Sequence, residues 1–310
     1  MRRLGLLIFI AVLLGGATCE RTLEIEFPEA EPQLVVISNF SDDQNLQVQV
    51  SLSRDILESP AIEYLGNADV KLFQGDQFLE TLAFVVPNAG TPFYSTRRLK
   101  PSAGLTYNIQ VLVPGFDPIM AQSTVPNRIE IHELSLTNLE VQQIPESAQD
   151  LYSFDLEIDF KDPGDEQNFY HLKLYQQFEQ FTLLRGDTIV SATPTRELRF
   201  NPANNDNFQI AHYEGGVLLE DTPFNGETKT YTVPIDVEIS PDSELPGKII
   251  AELRTVSEEY FLFYSTVSRQ VNAQQLNYTE PVIIFNNIEN GQGVFAGYSS
   301  SNRSVPIYKP

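Results

Sequence analysis

From Gln33 onward the chain alternates apolar and polar residues with a period of two, and this confines it to strands that bury one face and wet the other. Leu46, Val48, Val50 and Leu52 share one face, with Gln47, Gln49, Ser51 and Ser53 on the other; Ala68, Val70 and Leu72, then Tyr107, Ile109, Val111 and Val113, repeat the pattern. Turn formers punctuate these runs at Gly75-Asp76, Asn88-Ala89-Gly90, Pro101-Ser102-Ala103-Gly104 and Pro114-Gly115. Short strands at such regular spacing predict a β-sandwich over residues 33–126.

A boundary is expected near Val125-Pro126-Asn127, and the alternation then resumes with greater amplitude. Phe154, Leu156, Ile158 and Phe160 alternate with Asp155, Glu157, Asp159 and Lys161 before the turn Asp162-Pro163-Gly164-Asp165. Further strands are expected from Phe169 to Phe178, over Tyr231 to Ile239 and from Lys248 to Thr255. One segment departs from the rule. Ser257 is a good helix cap, Glu258 and Glu259 suit the first turn, and Tyr260, Phe263, Tyr264, Val267 and Val271 recur at helical spacing. This predicts a helix over about 257–274 packed on a second sheet, its aromatic stripe facing the core. Residues 281–298 read as strand, Asn/Gly turn and strand. The fold class is therefore all-β, two β-sandwich domains (33–126 and 127–310), the second with one packed α-helix.

The first residues, MRRLGLLIFIAVLLGGATCE, follow another logic. Arg2 and Arg3 precede an apolar run over residues 4–14 and small residues up to Cys19, the anatomy of a secretory signal over 1–18. The run is too short for a helix spanning a ~30 Å hydrocarbon core. Cys19 is the one cysteine among 310 residues, so no intramolecular disulfide is available and core packing must stabilise the chain. Its place after the small residues resembles a bacterial lipobox, in which the thiol is acylated, although Gly16 and Thr18 stand where Leu and Gly or Ala are usual. Conventional cleavage after a small-residue pair is the competing reading; an unpaired thiol in an oxidising compartment argues against it. Residues 19–32, acidic and proline-containing, are expected to form an extended tether.

The chain holds 20 Lys+Arg against 42 Asp+Glu, a formal net charge of −22. Such a surface repels phosphate backbones, which excludes nucleic acid as a partner, and repels anionic headgroups, which leaves a covalent lipid as the means of holding a membrane.

Candidates for chemistry are few. His132, His171 and His212 lack metal-ligand spacing, and His132 and His171 are expected at a surface or sheet edge. Asp155, Glu157 and Asp159 share a strand face, with Asp162, Asp165 and Glu166 on the adjoining turn; oxygen-rich clusters of this kind can hold Ca²⁺, while a solvated acidic face explains them as well. Read as a glycosidase pair, Asp155 and Asp159 would make the chain a secreted hydrolase, but nothing in the sequence marks a cleft across which two carboxyls are held. No GxSxG elbow and no Gly-rich phosphate loop is present. No catalytic residue and no cofactor is assigned.

Several segments, in order, resemble a known family. After the anchor cysteine and its acidic neighbour come Pro28-Glu29-Ala30-Glu31-Pro32-Gln33-Leu34-Val35-Val36, then Asn67-Ala68-Asp69-Val70, then Phe224-Asn225-Gly226 after Asp221. The closing run is Glu280-Pro281-Val282, Asn286-Asn287-Ile288-Glu289-Asn290-Gly291 and Gly293-Val294-Phe295. With these the chain is similar to a Bacteroidetes lipoprotein family filed as domain of unknown function 4249. The resemblance implies an outer-membrane lipoprotein, often encoded beside TonB-dependent receptors, and hence an accessory, substrate-capturing subunit of a transporter. Its first domain looks like an immunoglobulin/transthyretin-type sandwich. Asp187-Thr188-Ile189 also resembles the O-glycosylation motif of exported Bacteroidetes proteins, at Thr188. The rival expectation is a structural or adhesive subunit of a surface assembly with no small ligand.

Overall fold

The computed structural model describes residues 31–54, 61–145, 147–184, 187–200, 209–213, 215–275 and 282–308. The expected alternation becomes strands almost throughout. They are β1 (Leu34–Ser41), β2 (Gln47–Leu52), β3 (Asp69–Gln74), β4 (Gln77–Thr81), β5 (Ala83–Val85), β6 (Phe93–Ser95), β7 (Thr106–Leu112), β8 (Ile119–Thr124) and β9 (Ile131–Gln143). There follow β10 (Asp150–Lys161), β11 (Phe169–Leu184), β12 (Asp187–Ala192), β13 (Thr195–Leu198), β14 (Gln209–Tyr213), β15 (Gly216–Glu220), β16 (Thr228–Ile239) and β17 (Glu244–Val256), then helix α1 (Glu258–Gln275) and β18 (Gln292–Pro306). The fold is all-β, with several sheets and a single helix among the described residues.

Three sheets form. The largest runs β14-β15-β11-β17-β18-β1-β2-β6-β5, with β12 and β13 also paired to β11; the others are β16-β10-β9 and β4-β3-β7-β8. Two cores follow from the inward halves of the alternations. Val36, Val48 and Val50 of the large sheet face Val70, Leu72, Ile109 and Val111 of the four-stranded sheet. Further along, Leu172, Leu174, Ala251 and Leu253 face Phe154, Leu156, Ile158, Val233 and Ile235.

β18 serves both cores. Its first half pairs parallel with β1 (Val36↔Gly293, Phe40↔Gly297) and its second half antiparallel with β17 (Val256↔Tyr298, Lys248↔Pro306). Phe295 stacks on Phe40, centroids 4.4 Å apart, in the first core. Its neighbours Val294 and Ala296 point the other way, against Tyr260, Phe261 and Tyr264 of α1. At Gly297 the strand passes so close to β8 that an added Cβ would stand 2.3 Å from Thr124 O, so only glycine fits there.

The helix begins where the sequence predicts. Ser257 Oγ accepts the Tyr260 N–H (3.3 Å), and Ser257 N–H donates to Gly297 O (2.9 Å), tying the cap to β18. The buried face is rotated from the expected stripe. Tyr260 and Tyr264 are buried, but so are Ser265 and Ser268, whereas Val271 is exposed. Small hydroxyl residues let the helix sit close, so apolarity alone misplaces the contact face.

Residues 282–288 are not the expected strand. They cross α1 unpaired, the Val282 N–H donating to Gln270 Oε1 (2.8 Å) and the Phe285 N–H to Thr266 Oγ1 (3.0 Å). Helix side chains supply the acceptors that a neighbouring strand would otherwise provide. The strand that follows reaches Pro306, eight residues past the expected end at Tyr298.

Candidate functional site

The signal sequence and Cys19 lie outside the described residues, as do all but the last two residues of the expected tether. Among the acidic candidates, Asp155, Glu157 and Asp159 occupy the water-facing side of β10 as the alternation requires. Asn138 Nδ2 donates to Asp155 Oδ2 (2.8 Å), and the Ser135 and Thr137 hydroxyls donate to Glu157 (3.5 and 3.4 Å). Asp155 and Asp159 are four strand residues apart, about 13 Å. Asp165 and Glu166 are exposed, but Asp162 turns inward and is fully buried. It accepts the Tyr170 hydroxyl and the Gly226 N–H (2.9 Å). The acidic residues weighed as calcium ligands therefore do not converge. Among the described residues no group of three or more His, Cys, Asp or Glu side chains is placed to hold a metal ion.

What Asp162 does is structural. The turn it opens packs against the Phe224-Asn225-Gly226 turn, with Gly164 facing Gly226 so closely that a Cβ on Gly164 would lie 3.0 Å from Gly226 Cα. A second buried carboxylate, Asp221, accepts the Asn168 N–H (2.6 Å) at the other end of that turn. Burial raises the Asp221 pKa, its backbone hydrogen bond opposes this, and the charge of Asp162 adds to the rise. Burial, then the Asp162 carboxylate, likewise raises the Tyr170 hydroxyl.

His132 is exposed on β9, whereas His171, expected at a surface or edge, is fully buried. The correction has a simple cause: β11 is central in the large sheet, and its outward face at His171 is covered by α1. His171 Nδ1 lies 3.0 Å from Tyr260 Oη. Beside it Arg254 forms a two-pronged pair with Glu252 (2.8 and 3.1 Å), sits over the Tyr298 ring (4.8 Å), and shares Glu252 with the Tyr175 hydroxyl (3.1 Å). Burial alone would lower the Arg254 pKa; Tyr260, Glu252 and Tyr298 outweigh it and raise it, so the guanidinium stays charged. Burial raises the Tyr260 hydroxyl, against the pull of Arg254. These residues sit on alternate positions of three strands and one helix, so no local motif marks them.

A pocket of about 710 Å³ opens where the tether meets the fold. Its walls include Glu31 and Gln33 from the chain's entry, Phe116 and Asp117 from the β7–β8 turn, and Asn290 and Gln292 from the closing loop. The asparagines of that loop build it. Asn287 mimics a strand neighbour, accepting the Phe295 N–H (3.0 Å) and donating to Phe295 O (2.8 Å) and Gln122 O (3.3 Å). Asn290 Nδ2 donates to Pro118 O (2.9 Å), and Gln292 Nε2 donates to Gln33 Oε1 (2.9 Å). Carboxamides, two carboxylates and a half-exposed phenyl ring give donors, acceptors and a stacking face, which suits a hydroxyl- or amide-rich solute. The closing run of asparagines and glycines was legible in the sequence, but not that it meets Phe116 and Asp117. Thr188, on β12, is exposed.

Three comparisons bear on this geometry. The pattern of a family described as "Domain of unknown function (DUF4249)" matches residues 20–304. No curated protein matches the chain. Among solved structures, one from Enterococcus faecalis, described as the MSCRAMM ACE that binds its ligands by the collagen Hug model, aligns at 8% identity over 87% of this chain and 94% of that one. Its TM-score is 0.19, and at that value the likeness carries no argument.

Proposed function

The chain belongs to the DUF4249 family, and from that premise we propose that it is a non-enzymatic lipoprotein of the outer membrane, held by an acylated Cys19 and serving as the substrate-capturing subunit of a TonB-dependent transporter. The observation that carries the proposal is the position of the polar pocket. Glu31 and Gln33, at the junction of tether and fold, form part of its wall. With Cys19 acylated, the twelve residues from Cys19 to Ala30 span at most about 40 Å, so the pocket is held close to the bilayer and to the mouth of a channel embedded in it. Two or three acyl chains at ~0.8 kcal/mol per buried CH₂ make a stable anchor. The acidic surface attracts neither nucleic acid nor anionic lipid, which leaves the lipid and a protein receptor as the membrane contacts.

The test is twofold. Metabolic labelling with a palmitate analogue marks the wild-type chain, while Cys19→Ala abolishes the label and releases the protein from the membrane fraction. A tagged copy extracted in mild detergent brings down a β-barrel receptor. Retention of Cys19→Ala on membranes removes the anchor from the proposal, and recovery of no β-barrel removes the transporter.

A further inference from the structure

At the opposite end of the large sheet from Glu31, beyond up to about 45 Å of strand rise along β18, lies a second cleft of about 430 Å³. Its cause is a β-bulge. β17 pairs with β11 up to Lys248↔Gln177 and resumes at Leu245↔Glu179, with Pro246 and Gly247 between. Gly247 sits at φ +67°, and a Cβ there would fall 2.0 Å from Gln177 O. Pro246 offers the ladder no N–H. The kink leaves a hollow between the two sheets, floored by Tyr152 and Ile239 and walled by Pro241, Leu245, Pro306 and Tyr308. Leu245 is 43% and Tyr308 75% exposed.

Two carboxylates, Glu179 and Glu244, line this otherwise apolar hollow. Glu244 uses one oxygen to accept the Ser240 N–H (3.1 Å). Prolines and tyrosines beside one another form a surface that fits an extended, proline-bearing backbone. The carboxylates select further. An acyl chain or neutral apolar ligand would strip their water and give nothing back, and a second copy of a chain with net charge −22 would bring more negative charge. A cationic side chain brings the complementary charge. On β11 the ladder with β17 ends at Gln180↔Glu244, the Phe181 N–H donates to Ser243 O (2.9 Å), and the strand continues outward through Leu183 and Leu184, 64% and 58% exposed.

We propose that this cleft docks an extended apolar segment carrying a Lys or Arg, contributed by a partner protein. The inference is independent of the lipid anchor and of the polar pocket. It is tested by selecting a displayed library of random dodecapeptides on the purified full chain and measuring the enriched peptides by fluorescence anisotropy. Enriched peptides carry Lys or Arg beside Pro, Leu or Tyr. Their affinity falls at least tenfold with Glu179→Gln/Glu244→Gln and with Tyr308→Ala, both surface changes that leave the circular dichroism spectrum intact. Absence of enrichment over a Tyr308→Asp control overturns the proposal, as does affinity indifferent to the two glutamates. Concentration-dependent dimerisation abolished by Tyr308→Asp overturns it in favour of a second copy.

Discussion

Asp221 holds a carboxylate, 1% exposed, beside the equally buried Asp162, and its raised pKa has a measurable sign. The folded state binds this proton more tightly than the unfolded chain does. Stability from this group is therefore greatest below the ordinary Asp pKa of about 3.9 and falls as pH rises through the folded value. Asp221→Asn, which resembles the protonated acid and keeps an acceptor for the Asn168 N–H, should raise the melting temperature at pH 7, the gain vanishing below about pH 4; equal effects at both pH values would refute the assignment. Asn287→Ala should cost about 1–3 kcal/mol in urea titration, because the Phe295 N–H and carbonyl lose their partner at the edge of the first core. At this scale the sequence was only partly readable. The acidic residues from Asp155 to Asp162 look uniform, yet Asp162 falls two residues after Phe160, on the inward parity of the alternation, so it alone of these meets Tyr170 and Gly226 in the interior. Nothing in its neighbours announces that partner 64 residues away.

Elements were far more legible, wherever one face is wet and the other dry. β10 and β16 follow their sequence alternation position by position because each faces a core on one side and water on the other. α1 was legible at its start, since Ser257 and the two glutamates act locally. Ser257→Ala should therefore cost about 1–2 kcal/mol in chemical denaturation, the loss of one cap, with the added loss of a partner for Ser123 Oγ (3.1 Å) on β8. A change below about 0.3 kcal/mol would show that the α1 cap is idle. Less legible was residues 282–288, whose apolar run looks like a strand but finds helix side chains beside it rather than a sheet edge. Likewise, the two carboxylates of the distal cleft stand on different strands, 65 residues apart, beside a bulge whose sole trace in the sequence is Pro246-Gly247.

For the whole molecule the decisive feature is a last strand shared by two cores. Phe295 is fully buried on Phe40, and Phe295→Ala should cost about 3–5 kcal/mol. Because the same strand continues against β17, the loss should shift one transition rather than split it. Near-ultraviolet and far-ultraviolet circular dichroism should move together; two separated midpoints would mean that the cores melt independently. The parallel pairing of β1 with β18 also joins residues more than 250 positions apart, Val36 with Gly293. Since a polypeptide emerges amino end first, β1 waits with a bare edge through nearly the entire span of synthesis, and any truncation short of Gln292, where the pairing begins, leaves that edge bare for good. Maturation of this protein is thus all-or-nothing: an incomplete chain is marked for aggregation or proteolysis by its own first strand.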